Sequence, residues 1–230
     1  MTNAADKIIV ALDVPTKKEA LGLVEQLRGQ VSFFKVGLQL YTAEGPEIVR
    51  AVTKTDAKVF LDLKLQDIPN TVAGAVESAS KLGVQMLTIH LSGGPDMIRA
   101  AVAAKSNKIS ILGVTVLTSA TQHTLDEVGI EEQLDRHVLR LGNLGVAAGV
   151  DGLVASPFEV RFLRAEFGDK IKLVVPGLRP SWAEHGDQKR VMTPSEAIQA
   201  GADYLVIGRP ITLHKNPREA VKRILAELNG

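Results

Sequence analysis

Residues 58–71 read KVFLDLKLQDIPNT. In the first eight, Phe60, Asp62 and Lys64 share one side of an extended chain, and Leu61, Leu63 and Leu65 share the other. Strand side chains alternate between faces, so the stretch reads as a strand with one apolar face and one that carries charge. The apolar face suits packing against helices. The charged face needs an interior that supplies partners, because burying an isolated charge is expensive. Pro69 and its neighbours close the strand, and an amphipathic pattern predicts a helix over Thr71–Leu82.

The same unit repeats along the chain. Strands are predicted at Lys7–Val14, Phe33–Leu38, Lys58–Leu65, Met86–Leu91, Ile109–Leu117, Gly152–Ser156, Lys172–Leu178 and Tyr204–Ile211. Helices are predicted at Lys17–Arg28, Pro46–Thr53, Thr71–Leu82, Pro95–Ala104, Glu131–Gly149, Pro157–Glu166, Thr193–Ala200 and Pro217–Leu228. Pro95, Pro157, Pro194 and Pro217 suit first helical turns, where a missing N–H costs nothing. Strands alternating with helices imply right-handed βαβ units and a parallel sheet, and eight repeats imply closure into a (β/α)8 (TIM) barrel. The 230 residues are close to the size of that fold, typically about 250. No linker or composition break interrupts them, so residues 1–230 are expected to form a single catalytic domain. Hydrophobic residues make up 45% and aromatics only 4%, which requires a core of Val, Leu, Ile and Ala, as parallel sheets have.

Parity then locates the polar residues. Ile9, Ala11 and Asp13 share the mixed face of the first strand, Phe33, Lys35 and Gly37 that of the second, and Thr88 and His90 that of the fourth. The charged members lie toward the C-terminal strand ends, where barrels of this type carry their chemistry. Lys35, Asp62 and Lys64 can pair with one another, and Asp67 comes just beyond the strand. Such an array offsets the burial of each charge and sets up a preorganised field. The plain alternative is a buried ion-pair network with no catalytic task, and for His90 a core histidine satisfied by hydrogen bonds. Residues 179–192, RPSWAEHGDQKRVM, form a long polar loop, either a lid or an ordinary connection.

Composition excludes several classes. There is no cysteine, hence no disulfide, thiolate metal site or cysteine nucleophile. A net charge of +1 argues against a nucleic-acid surface. No apolar run nears the roughly 20 residues of a membrane span, and no signal-peptide pattern opens the chain. A cytoplasmic protein is expected.

The segment from Asp62 to Thr71, with Asp62, Lys64 and Asp67 spaced as DxKxxD and followed by Ile-Pro-Asn-Thr, resembles the signature of the orotidine 5′-monophosphate decarboxylases, most closely the bacterial branch. Five further stretches are similar in order: Ile-Val-Ala-Leu-Asp13, Phe-Lys35-Val-Gly, Val-Thr-Val-Leu-Thr118-Ser, Val-Pro176-Gly-Leu-Arg179-Pro and Val-Ile-Gly208-Arg209-Pro-Ile. Two positions depart: Gln66 stands where the family often has His, and Leu91 follows His90 where Ala is usual.

The resemblance implies a decarboxylase that uses no metal and no cofactor. It implies that Lys64 protonates C6 of the pyrimidine, that Asp62 opposes the substrate carboxylate, that Lys35 holds Asp62 and binds the ribose, and that Asp13 accepts a ribose hydroxyl. Thr118 would contact the pyrimidine, Pro176 would belong to the substrate-binding set, and Arg179, Gly208 and Arg209 would take the phosphate, with Gln188 closing from the lid. Asp67, Ile68 and Thr71 would enter the site of a neighbouring subunit, which implies a homodimer with shared active sites; read without the resemblance, Asp67 and Thr71 suit helix N-terminal capping. Three rivals stand beside this reading. One is the 3-keto-gulonate-phosphate decarboxylases, which share DxKxxD but bind magnesium through an acidic residue at the position of Lys35. The others are a non-catalytic phosphate-binding barrel and a Schiff-base enzyme using Lys35 or Lys64.

Overall fold

The computed structural model describes residues 4–183 and 192–229. Eight parallel strands form: β1 (Ile8–Ala11), β2 (Phe33–Gly37), β3 (Lys58–Leu65), β4 (Met86–His90), β5 (Ser110–Val114), β6 (Gly152–Val154), β7 (Lys172–Val175) and β8 (Tyr204–Ile207). Each pairs with its neighbours in chain order, and β1 also pairs with β8, which closes a (β/α)8 barrel. The outer helices are α1 (Lys17–Leu27), α2 (Leu38–Glu44), α3 (Pro46–Thr53), α4 (Pro69–Lys81), α5 (Pro95–Ala104), α6 (Gln122–Glu127), α7 (Leu134–Ala147), α8 (Val160–Phe167), α9 (Pro194–Ala200), α10 (Arg209–Thr212) and α11 (Pro217–Asn229). None of the described helices is long and apolar enough to cross a membrane.

Strand parity sorts the apolar residues into two cores. Ile9, Ala11, Phe33, Phe60, Met86, Leu112, Val114, Val154, Val174 and Val206 fill the barrel itself. Their out-of-phase neighbours, among them Ile8, Val10, Phe34, Val36, Leu61 and Leu87, pack outward with the helices. The face expected to look inward does so, and the charged positions of β2 and β3 rise from this apolar floor.

Helix starts follow local chemistry. Thr16 caps α1 by accepting from the Glu19 N–H, and Thr193 and Glu196 form a reciprocal capping box at α9. Pro46, Pro69, Pro95, Pro194 and Pro217 open their helices, but Pro157 does not. There the Glu159 carboxylate accepts from the Ser156 N–H at 2.8 Å and closes a turn ahead of α8. The predicted start of α7 at Glu131 is also too early. The α6 segment intervenes, and its Gln122 Oε1 accepts from the Leu134 N–H at 2.7 Å, where α7 begins.

Several strands are shorter than predicted, for reasons of pairing. β5 stops at Val114, not Leu117, because its neighbour β6 offers only three residues, the last of them Val154 opposite Val114. β7 stops at Val175, where Pro176 lacks a donor and Gly177 turns the chain at φ 79°. β8 stops at Ile207, since Gly208 and Arg209 lead into α10. Leu38, expected to end β2, instead opens α2.

Close backbone packing holds the lower barrel. A Cβ on Gly152 would lie 2.8 Å from the Lys172 carbonyl of β7 and 2.6 Å from Leu112 Cδ2 of β5. Backbone on one side and a buried side chain on the other leave no room. Gly152→Ala should therefore lower stability by about 1–3 kcal/mol, read as a lower urea midpoint at constant slope; an unchanged midpoint would show that the barrel can yield there.

Candidate active site

Register stacks the charges in layers. Lys35 pairs with Phe60, and one step higher on the same inward face Gly37 pairs with Asp62. Lys35 Nζ thus emerges beneath Asp62, 3.6 Å from its Oδ2, and donates at 2.9 Å to Asp13 Oδ1 beyond the end of β1. Lys64 Nζ donates at 2.8 Å to the other Asp62 oxygen. The result is a continuous series Asp13–Lys35–Asp62–Lys64. Its inner side chains are almost enclosed, at 10% exposure for Lys35 and 13% for Asp62, while Lys64 at 27% and Asp13 at 53% open toward the mouth. Gly37 makes room for it: a Cβ there would lie 2.8 Å from Lys35 Nζ and 3.1 Å from Asp13 Oδ1.

The backbone at Lys64 is irregular. Between Leu61 and Leu65, β3 advances four residues while β4 advances only two, from Leu87 to Ile89. Within this bulge Lys64 adopts φ 51°, a left-handed conformation that costs a non-glycine residue roughly 1–2 kcal/mol. Bulges of this kind re-aim side chains beside functional sites. The Lys64 N–H donates at 2.8 Å to the hydroxyl of Thr88, and that hydroxyl donates at 3.0 Å to Asp62 Oδ1.

Burial would push the Asp62 carboxyl upward, but the Lys35 and Lys64 ammoniums, with hydrogen bonds from Lys64 and Thr88, outweigh it and hold the group below the usual carboxylate range. Burial also lowers His90, and the Lys64 ammonium adds to this against the opposing pull of Asp62. Both effects favour the neutral imidazole.

The array forms one end of a cavity of about 340 Å³. Phe60, Val114, Val154 and Val206 floor it, and Thr118, Pro176, Arg179, Gly208 and Arg209 line the remainder. Arg179 is buried and donates to the Leu178 carbonyl at 2.9 Å. Arg179 and Arg209 also border an adjoining cavity that includes His214, Lys215 and Arg223, so this end of the barrel mouth is strongly basic.

Of the residues singled out from sequence, Asp13, Lys35, Asp62, Lys64, Thr118, Pro176, Arg179, Gly208 and Arg209 converge on this cavity. Thr118 does so from the loop beyond β5, not from a strand end. Asp67, Ile68 and Thr71 do not line it; all three are exposed, Asp67 and Ile68 on the segment leaving β3 and Thr71 in the first turn of α4. Asp67 accepts from the Ile68 N–H at 2.7 Å, and α4 starts at Pro69 without a side-chain cap, so the capping alternative is corrected. The fourth member of the charge series within one chain is Asp13 in place of Asp67. Gln188 lies outside the described residues. Gln66 is exposed, and its Oε1 accepts from Ser92 Oγ at 3.2 Å. Sequence reading placed Thr88 on the inward face but gave it no part in the site, since a neutral β-branched residue in a strand carries no chemical signal of its own.

Fold and cavity together define a (β/α)8-barrel enzyme built around a lysine–aspartate array. The model of the Orotidine 5'-phosphate decarboxylase / HUMPS family matches residues 6–224. The chain belongs to that family. Among similar curated proteins, an orotidine 5'-phosphate decarboxylase from Trichlorobacter lovleyi is 48% identical, covering 98% of this chain and 96% of its own. One from Nostoc sp. is 49% identical, covering 97% of each. The crystal structure of orotidine 5'-phosphate decarboxylase from Lactobacillus acidophilus superposes with a TM-score of 0.86 at 34% identity, over 98% of this chain and 100% of the other.

Asp62 links stability to pH. Its folded-state pKa is depressed, so its contribution is present above the unfolded value of about 3.9 and is lost as pH falls through the folded value. Asp62→Asn should cost about 3 kcal/mol at neutral pH, because Lys64 loses its carboxylate and the buried Lys35 keeps only Asp13. Urea midpoints of the two proteins should converge as pH drops below about 4; a gap that stays constant with pH would contradict the assignment.

Proposed function

We propose that this protein decarboxylates orotidine 5′-monophosphate to UMP and CO2 in pyrimidine biosynthesis, as a single catalytic domain. Family membership and the names of its relatives support the reaction. The observation that carries the mechanism is Lys64 Nζ, held 2.8 Å from Asp62 in a cavity whose other end bears Arg179 and Arg209. A monophosphate fits the arginine end, with Gly208 leaving the phosphate room beside Arg209 and Gln188 closing over it. The pyrimidine then lies against Thr118 and Pro176, its C6 carboxylate facing Asp62 and Lys64. Lys35 and Asp13 take the ribose hydroxyls.

Loss of CO2 leaves an electron pair in the ring plane at C6, where the π system cannot delocalise it. The Lys64 ammonium stabilises that charge and transfers a proton to C6. Charges about 4 Å apart gain about 4 kcal/mol at an effective dielectric near 20, whereas enzymatic accelerations need roughly 8–23 kcal/mol. Phosphate binding must therefore supply the remainder, by driving the carboxylate into the array. The sugar-phosphate chemistry also found with DxKxxD is disfavoured by Lys35, whose ammonium stands beside both Asp13 and Asp62 and repels a divalent cation.

We further infer a homodimer with shared sites. Ile68 keeps 67% of its surface exposed, and Asp67 and Thr71 are exposed with it, on a segment open to contact with a second copy.

Two experiments test these readings. Lys64→Ala should abolish the absorbance change of orotidylate decarboxylation in the presence of EDTA while still binding UMP; substantial turnover would refute the role of Lys64. Lys64→Ala and Asp67→Ala, each inactive alone, should regain about a quarter of wild-type activity when refolded together, because half of randomly assorted two-fold dimers hold one intact site of two. No recovery on mixing would rule out shared sites.

A further inference from the structure

The bulge in β3 requires something to hold it. Among the described residues, the side chain bonded both to its backbone and to its carboxylate is on β4. Thr88 is fully buried. Its hydroxyl accepts from the Lys64 N–H at 2.8 Å and donates to Asp62 Oδ1 at 3.0 Å. A hydroxyl has one proton and two lone pairs, so a single oxygen can serve both functions. The register slip takes Lys64 out of the regular ladder. A buried N–H there needs an acceptor, and the Thr88 oxygen is that acceptor.

We propose that Thr88 is a positioning residue for the reaction. It holds Lys64 in its left-handed backbone conformation and fixes the Asp62 carboxylate that receives the Lys64 ammonium. The inference rests on the roles given above to Lys64 and Asp62. Two contacts from one hydroxyl constrain both ends of the Lys64 residue. The backbone contact sets where the side chain departs. The carboxylate contact sets where its ammonium ends. Thr88 bears on no part of the phosphate end, where Arg179, Gly208 and Arg209 line the cavity. Its loss should therefore affect turnover and leave ground-state binding largely intact.

The test is steady-state kinetics on full-length Thr88→Val, Thr88→Ala and Thr88→Ser, with UMP affinity and thermal midpoint measured alongside. Valine keeps the shape and removes the hydroxyl. Alanine and serine differ from each other only by the hydroxyl, so they decide the matter even if the valine variant does not fold. Misplacing a reacting group by about 1 Å can cost about 100-fold in rate. The expected result is a kcat about 10- to 100-fold lower in Thr88→Val and Thr88→Ala, with KM little changed, and most of kcat recovered in Thr88→Ser. Equal kcat in the serine and alanine variants would overturn the proposal, as would a loss confined to KM. Lys64→Ala in the same series separates this from the wider reading. If Lys64→Ala is inactive while serine and alanine at position 88 match, only the positioning role fails. If Lys64→Ala turns over normally, the chemistry assigned to Lys64 fails and the role of Thr88 falls with it.

Discussion

A carboxylate lodged between two ammoniums is the constraint on which the site depends. Asp62 lies 2.8 Å from Lys64 and 3.6 Å from Lys35, and without its charge two cations would face each other in a nearly closed space. Each local feature serves that arrangement. Gly37 leaves Lys35 and Asp13 the room they occupy, the bulge turns Lys64 back toward Asp62, and Thr88 bonds to both. Replacing a buried ion pair with apolar residues is often neutral or stabilising. Three such charges, together with a left-handed lysine, are therefore not accounted for by their contribution to the fold alone.

The barrel makes this possible by geometry. Parallel strands end on one face, so residues two apart on β3 and in register across β2 and β3 meet at one mouth. The floor beneath them is apolar, with Phe60, Val114, Val154 and Val206 below the charges. An apolar, low-dielectric floor strengthens the interactions of the charges above it. The tight seat of Gly152 against β5 and β7 holds the base on which the mouth is built.

How much of this was legible in the sequence depends on which forces are local. The two faces of each strand were legible, because parity depends only on spacing and separates the inner core from the outer. Strand ends were not. β5 stops where β6 runs out of partners, and no pattern within residues 109–117 carries that information. The short helices α2, α6 and α10 give too few residues for a helical period, whereas α9, as short as α2, is marked by Thr193 and Pro194 at its start. In the site, the charged residues of β2 and β3 could be found, since a lysine or aspartate on an inward face requires an explanation. Thr88 could not, because its part depends on a register slip that exists only between two paired strands. Asp13 falls on the inward face of the strand predicted at Lys7–Val14, whereas Asp67 lies past a strand end, where parity no longer says which way a side chain points. Both are exposed, and the three-dimensional path brings Asp13 to Lys35 while Asp67 bonds to the adjacent Ile68 N–H.

Charge balance ties the two ends of the cavity together. Asp13, Lys35, Asp62 and Lys64 contribute two negative and two positive charges and nearly cancel as a set. Under the proposed mechanism, a phosphate of about two negative charges meets the basic end that bears Arg179 and Arg209. The substrate carboxylate then enters an array with no net charge to spare, next to Asp62. Its own charge is the one left without a counterion, because Lys64 is already engaged by Asp62. When CO2 departs, the negative charge passes to the ring carbon beside Lys64, and proton transfer removes it. Under that mechanism the array would oppose the bound carboxylate more than the carbanion, although its own ion pairs are satisfied within the chain. A site with one more fixed cation would bind the carboxylate better and lose that difference, which is why a balanced set of four charges suits decarboxylation better than a simple basic pocket.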